Sequence, residues 1–261
     1  MLPTQRRQAI LAEVRQAKAV SADELARQFG VSLETIRRDL RGLRDQGLLE
    51  RVYGGALSVR STEGTFATRS ALHAERKRVI AQLAATLIGP DDTIVIDIGT
   101  TALEVARALP AGFRGRVLTN SVPAAMELAG RDDVELLLSG GQVRTGDAAC
   151  FGAHAEAFFG EFYADLAFLG SGGVHPRAGL TDYHPHEVIT RRTIIEHSAA
   201  SYVLADSSKL GTIAVHRVCP LSRVTAVLTD HQAGAEATDA LVSAGCTVLC
   251  SPLGSPLGPP P

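Results

Sequence analysis

The sequence predicts an α/β protein in two parts, a small winged helix-turn-helix joined to a larger domain built on a mostly parallel sheet. Three observations predict it. Residues 21–47 carry two short helical patterns that meet at Gly30-Val31, and an alternating stretch running into Gly54-Gly55 follows them. From Thr93 onward, apolar strand-like runs alternate with helical stretches, the pattern of a sheet covered on both faces.

The first helix is expected over Thr4 to Lys18, with Ile10, Leu11 and Val14 on its apolar side. Ser21 is an N-cap residue, and Glu24 three positions later completes a capping box. Gly30 stands where the chain leaves that helix in a conformation needing positive φ, and Ser32 caps the next one. Leu25, Phe29, Val31, Ile36, Leu40 and Leu43 fall at inward spacings, which leaves Thr35, Arg37, Arg38, Arg41 and Arg44 outward. Leu48 to Leu57 alternates into the Gly-Gly pair as a β-hairpin, the wing. Such a unit inserts its second helix in the major groove, so Ser32, Thr35, Arg37, Arg38 and Arg41 are the expected DNA contacts, with Arg51 and Tyr53 of the wing beside the backbone. The same residues also describe an ordinary two-helix corner with a solvated basic face.

The division expected is a DNA-binding domain over 1–57, a polar linker over 58–71, a sensor domain over 72–250 and a disordered Pro/Gly-rich tail over 251–261. A helix over 72–88 opens the sensor. Strands are expected at Thr93–Ile98, Arg116–Thr119, Val134–Leu138, Leu166–Leu169, Ser201–Leu204, Val224–Leu228 and Thr247–Leu249. Helices are expected at Ala102–Leu109, Pro123–Ala129, Ala153–Phe162, His186–His197 and Ala235–Ala244.

Composition fits a folded protein: of 261 residues, 45% are hydrophobic and 21% charged. The net charge of −2 is unevenly placed, since residues 1–60 hold 11 Lys/Arg against 7 Asp/Glu and the remainder is acidic. A basic head on an acidic body suits a DNA-reading module attached to something with another task. No run reaches the ~20 apolar residues that span a bilayer, and MLPTQRRQAI lacks a signal-peptide core, so a cytoplasmic protein without membrane contact is expected. Cys150, Cys219, Cys246 and Cys250 form no C-x-x-C pair and are expected to be buried thiols.

In an open α/β sheet, ligands bind beyond the carboxyl ends of the strands. Asp97-Ile98-Gly99-Thr100-Thr101 ends a strand and opens a helix, which makes an anion cradle with phosphate as the first candidate. A turn and a helix cap explain the same residues equally well. Thr119-Asn120-Ser121, Ser139-Gly140-Gly141, Gly170-Ser171-Gly172-Gly173 and Asp206-Ser207-Ser208-Lys209 fall in equivalent places. Lys209 would meet a phosphate and Asp206 a sugar hydroxyl, or the two form a surface ion pair. His184-Pro185-His186-Glu187 lacks a completing Cys or His cluster, so no metal is expected and Glu187 is placed at a helix start facing the pocket.

The motifs RRQAIL, TIRRDLRGL followed by GGA, ERKRVIAQLAATLI, DIGTT, LTNS, LSGG, ADLAFLG, GLTDY with Glu187, and ADSSKLG with a later TD follow one another from Gln5 to Val248. In this series the chain resembles the DeoR-family transcriptional regulators. The resemblance implies a winged helix joined to a sensor with the fold of ribose-5-phosphate isomerases and CoA transferases. It further implies operator DNA and a phosphorylated sugar or related metabolite as partners, repression relieved by that effector, and no cofactor. The effector residues it implies are Gly99, Thr100, Thr101, Asn120, Gly141, Gly172, Glu187, Asp206 and Lys209, with Asp97 at the strand end. Ile98, Gly172 and Tyr53 depart from the family's frequent serine, Asp or Asn, and histidine. A symmetric dimer or larger assembly is expected, because paired half-sites are read by paired modules. Two other readings stay open from the sequence. One is an isomerase-like enzyme using Asp97, Asp165 or Glu187 as a base; the other is a domain that only oligomerises.

Overall fold

The computed structural model describes residues 3–17, 19–45, 49–52, 55–60, 63 and 65–251. Helix α1 (Pro3–Ala17), strand β1 (Ala19–Ser21), helices α2 (Ala22–Phe29) and α3 (Leu33–Asp45), and strands β2 (Leu49–Val52) and β3 (Gly55–Arg60) form the N-terminal unit. Its core is Ile10, Val14, Ala22, Leu25, Ile36, Leu40, Leu43 and Leu49, with Phe29 and Val31 packed at the edge. Gly30 closes α2 at φ 62 and ψ 37, and the Val31 N–H returns to Ala26 O at 3.1 Å. The Ser21 hydroxyl caps α2 by accepting from Asp23 N. Strand β3 pairs antiparallel with both β2 and β1, so the wing has a third strand that the sequence did not signal.

Helices α4 (Phe66–Ala71) and α5 (Ala74–Ala85) follow, then strand β4 (Thr93–Ile96), helix α6 (Thr100–Arg107), strand β5 (Arg116–Thr119), helix α7 (Val122–Leu128) and strand β6 (Glu135–Leu138). Next come the hairpin β7 (Gln142–Arg144) and β8 (Ala149–Phe151), helix α8 (Ala153–Gly160) and strand β9 (Ala164–Leu169). Strands β10 (Gly173–His175) and β11 (Gly179–Asp182), helix α9 (Pro185–Glu196) and strand β12 (Ser198–Leu204) precede the short strands β13 (Ile213–Ala214) and β14 (His216–Cys219). The described chain closes with strand β15 (Ala226–Thr229), helix α10 (Ala235–Ser243) and strand β16 (Val248–Cys250).

Seven of these strands make one parallel sheet in the order β16-β15-β12-β9-β4-β5-β6. Alternate residues feed two apolar layers, as a two-period strand requires. Ile94, Ile96, Phe168, Leu204 and Leu228 face α5 and α6, while Val95, Ala167, Leu169, Val203 and Val227 face the side covered by α9 and α10. Burial on both faces is why strands such as β4 and β15 read as apolar runs. The chain lays β4, β5 and β6 in one direction and then returns to place β9 on the other side of β4. The order therefore reverses between β4 and β9.

Residues 58–71, read from sequence as a linker, contain the end of β3 and all of α4. Val59 and Arg60 pair in parallel with Ile213 and Ala214 of β13, so the wing's last strand continues into the sensor. Two paired residues are too short a run to signal a strand from sequence. Strands β10, β11 and β14 form a separate antiparallel sheet that was likewise not expected. Cys150, Cys219 and Cys246 are buried free thiols, whereas Cys250 is exposed, against expectation. Among the described residues, no helix is long and apolar enough to cross a membrane. Residues 252–261 of the expected tail lie outside the described residues.

Candidate functional site

Two surfaces carry the chemistry. On α3, the Ser32 hydroxyl accepts from Thr35 N at 3.2 Å and lies 2.9 Å from the Thr35 hydroxyl, which starts the helix. Arg37, Arg38 and Arg41 are exposed along it, Ser32 is exposed at its entrance and Thr35 is half-buried. Asp39, on the opposite face and 2% exposed, accepts from Arg6 Nε at 2.7 Å and Arg7 Nε at 2.9 Å. Two guanidiniums of α1 thus hold α3 by the buried carboxylate of Asp39, and Arg37, Arg38 and Arg41 are presented outward. Arg51 lies on β2, and Tyr53 lies outside the described residues.

The second surface is a cleft at the point where strand order reverses, the position general to open α/β sheets. It encloses about 360 Å3 of empty space, part of it open to solvent. After β4, Gly99 takes φ 111 and ψ 165, a conformation for glycine alone, and a Cβ there would project into open space. Thr100 and Thr101 follow as the first residues of α6, whose leading N–H groups have no acceptor within the helix. Gly170 and Ser171 enter from the end of β9, and Lys209 from the turn after β12, its ammonium donating to Ser171 O.

Beneath this lies an ionic network. Arg191, 2% exposed, donates from Nε to Asp97 Oδ2 at 2.5 Å and from Nη1 to Asp182, with Glu187 Oε2 at 3.4 Å. Arg144 donates to Glu187 and to Asp147. Burial alone would raise the Asp182 carboxyl, but Arg191 and a hydrogen bond from Glu187 hold it at about 2. Glu187 goes the other way: burial, then the charge of Asp182, push it well above the carboxylate range against the pull of Arg191 and Arg144. The two carboxyls are thus pushed apart, Asp182 toward the anion and Glu187 toward its protonated form. Burial also lowers the Lys209 ammonium, opposed chiefly by Asp206.

Residues 72–231 match the family description "DeoR C terminal sensor domain", and residues 6–62 match "DeoR-like helix-turn-helix domain". The chain belongs to the DeoR family. It is 35% identical to the HTH-type transcriptional regulator GlpR of Haloferax volcanii, over 95% of this chain and 98% of that one. It is 38% identical to the glycerol-3-phosphate regulon repressor of Escherichia coli, over 88% of this chain and 92% of that one. Among solved structures, the full-length sorbitol operon regulator SorC of Klebsiella pneumoniae aligns with a TM-score of 0.42 at 13% identity, over 93% of this chain and 98% of that one. The relatives are named as regulators and repressors, and this DeoR-family chain is a DNA-binding transcriptional regulator, not an enzyme.

Of the effector residues expected from sequence, Gly99, Thr100, Thr101, Glu187 and Lys209 meet in the DeoR-family cleft. Five others do not line it. Asp97 is 1% exposed and spends its carboxylate on Gly170 N, at 2.9 Å, and on Arg191. Asp206 accepts from Ser208 N at 3.0 Å and Ser208 Oγ at 2.5 Å, so it builds the turn that carries Lys209 and is not presented to a sugar. Asn120 is buried with its Nδ2 3.5 Å from Cys150 O, and Gly141 packs against the β8 carbonyl of Phe151. Gly172 is a packing residue: a Cβ would sit 2.9 Å from Asp182 Cα and 3.0 Å from Thr181 O. Its missing side chain leaves room for β11.

Asp165, weighed as a base, accepts from Thr93 N at 2.8 Å, so it is at the opposite end of the sheet from the cleft. His184 and His186 face Glu63 and Glu156, and among the described residues no group of three or more His, Cys, Asp or Glu is placed to hold a metal. Sequence reasoning missed Glu63, Arg69, Asp147, Asp182 and Arg191 as cleft residues. A signal existed for Arg191, which stands four positions after Glu187 on the face of α9 that also buries Val188 and Ile195.

Proposed function

We propose that this regulator is a sequence-specific repressor of carbohydrate-metabolism genes that leaves its operator when a phosphorylated sugar or related metabolite fills the cleft. The observation that carries the reading is the junction of the Gly99-Thr100-Thr101 helix start with Lys209 at the switch of strand order. Helix-start N–H groups, two hydroxyls and an ammonium converge there, the donor set a phosphate monoester needs. Thr100, Thr101 and Lys209 bind the phosphate, and Glu187 faces hydroxyls of the remainder. On α3, Thr35, Arg37, Arg38 and Arg41 contact operator DNA, with Ser32 at the helix entrance and Arg51 and Tyr53 on the wing. A homo-oligomer in the cytoplasm reads the paired half-sites.

Names of relatives, including a glycerol-3-phosphate regulon repressor, point to glycerol 3-phosphate as the first ligand to try. The test is a thermal-shift panel of phosphate esters and their parent alcohols, followed by operator release. Stabilisation by an ester and not by its alcohol, with loss of DNA binding, is the expected result. Release by a neutral sugar as effective as its phosphate would overturn the reading, as would retained response in Thr100→Ala/Thr101→Ala.

A further inference from the structure

Glu63 and Arg69 come from the stretch between wing and sensor, yet both line the cleft beside Gly99 and Lys209. Arg69 Nη1 lies 3.0 Å from Glu63 Oε1 and its Nη2 3.8 Å from Asp147 Oδ2. Behind it, Lys77 donates its ammonium to Arg69 O and, at 2.7 Å, to Leu72 O, so the backbone of Arg69 is anchored to α5. Upstream, β3 pairs with β13, which begins just after the turn that carries Lys209.

We propose that Arg69 is a ligand-binding residue of the cleft: a phosphate monoester seated on the start of α6 draws its guanidinium away from Glu63, and this exchange carries occupancy of the cleft to β3.

The inference rests on the reading of the cleft as a phosphate-ester site and deepens it. Each of the three cations lining the cleft already has an acceptor, so an entering anion competes with that acceptor for the cation's charge. Arg191 cannot supply one, because it is 3% exposed in its side chain and its departure would leave Asp97 and Asp182 buried and unpaired. Lys209 brings a single ammonium, partly committed to Ser171 O. Arg69 differs. Its partner Glu63 is 18% exposed, so that carboxylate regains water when the pair opens, and a planar guanidinium matches two phosphate oxygens at once. The same anion repels Glu63. Attraction of Arg69 and repulsion of Glu63 both act on the short stretch that continues β3, so occupancy reaches the wing without passing through the seven-stranded sheet.

The test measures binding of glycerol 3-phosphate and of orthophosphate to the full chain by calorimetry, for wild type, Arg69→Gln, Arg69→Lys and Glu63→Gln. Arg69→Gln should weaken both ligands roughly ten- to hundredfold, with Arg69→Lys between it and wild type. Glu63→Gln should tighten both, because it removes the competitor. Hydrogen exchange at the β3 amides should rise with ligand in wild type and not in Arg69→Gln. If Arg69 is only a strut for Glu63, the Gln variants at both positions will weaken binding alike, and the proposal fails. Binding by Arg69→Gln within about twofold of wild type would also overturn it, leaving the cleft reading intact. Wild type that binds neither ligand would remove both readings together. Should Arg69→Gln not fold, the sign of the Glu63→Gln effect decides.

Discussion

Arg191 is the residue on which the sensor's interior depends most. It neutralises Asp97 and Asp182 at 3% side-chain exposure. Arg191→Met should cost about 3–5 kcal/mol in urea unfolding, the range for removing one partner of a buried pair. Asp97→Asn should cost less, since an amide oxygen still accepts from Gly170 N. The arginines of α3 behave differently because they are exposed. If Arg38 meets a phosphate, Arg38→Ala lowers the slope of log affinity against log salt by about 1 and weakens all DNA evenly. If it meets a guanine, about 1–3 kcal/mol is lost at one operator position. An unchanged salt slope and unchanged sequence preference would take Arg38 out of the interface. At this scale the sequence showed Gly99, Thr100, Thr101 and Lys209, because a glycine between strand and helix and a lysine after a strand are local signals. Arg191 and Asp97 meet across 94 residues, and no window of sequence holds both.

Among the elements, α2 ends at Gly30, whose φ of 62 has nothing within 4 Å of a would-be Cβ. Gly30→Ala therefore meets strain without a clash, and the loss should be about 1–2 kcal/mol in thermal or denaturant unfolding. A neutral outcome would mean that the turn relaxes. Helix α4 is pinned through Lys77, whose ammonium burial lowers from 10.5 to about 8. In the folded protein the proton leaves at about 8, in the unfolded chain at 10.5, so between these values the unfolded state binds more protons. Linkage then requires this group's contribution to stability to rise with pH across that window and to be lost as pH falls through about 8. Lys77→Met should flatten the rise in urea titrations. An identical pH slope in the variant would show that Lys77 titrates normally. Element type was legible where burial imposed an apolar run, as in β4 and β15. Strands such as β7, β10 and β13 have two or three residues, too few to carry a period to read.

At the scale of the molecule, the division between reading and sensing unit is bridged by β3, with Gly55–Leu57 paired to β1 and Val59–Arg60 to β13. A fragment ending at Arg60 should bind operator DNA more weakly than the full chain, because it keeps one reading helix and loses whatever joins two copies. Equal affinity in a titration at fixed salt would show that one module suffices. Sedimentation of the full chain should give a dimer or larger species and of the fragment a monomer. The composition contrast between a basic head and an acidic body announced two units. The bridge between them was not legible, since only Val59 and Arg60 form it and their partners lie more than 150 positions away.

One division of labour within α3 has a consequence for how such a protein diverges. The side chains that seat the helix are Ile36, Asp39, Leu40 and Leu43, and those presented outward include Arg37, Arg38 and Arg41; the two sets share no member. Outward positions can therefore be exchanged for those of another operator preference while the seat, held by Arg6 and Arg7 on Asp39, stays intact. New target genes are open to this lineage through surface substitutions alone, and a laboratory graft of the same positions should redirect the protein at little cost in folding.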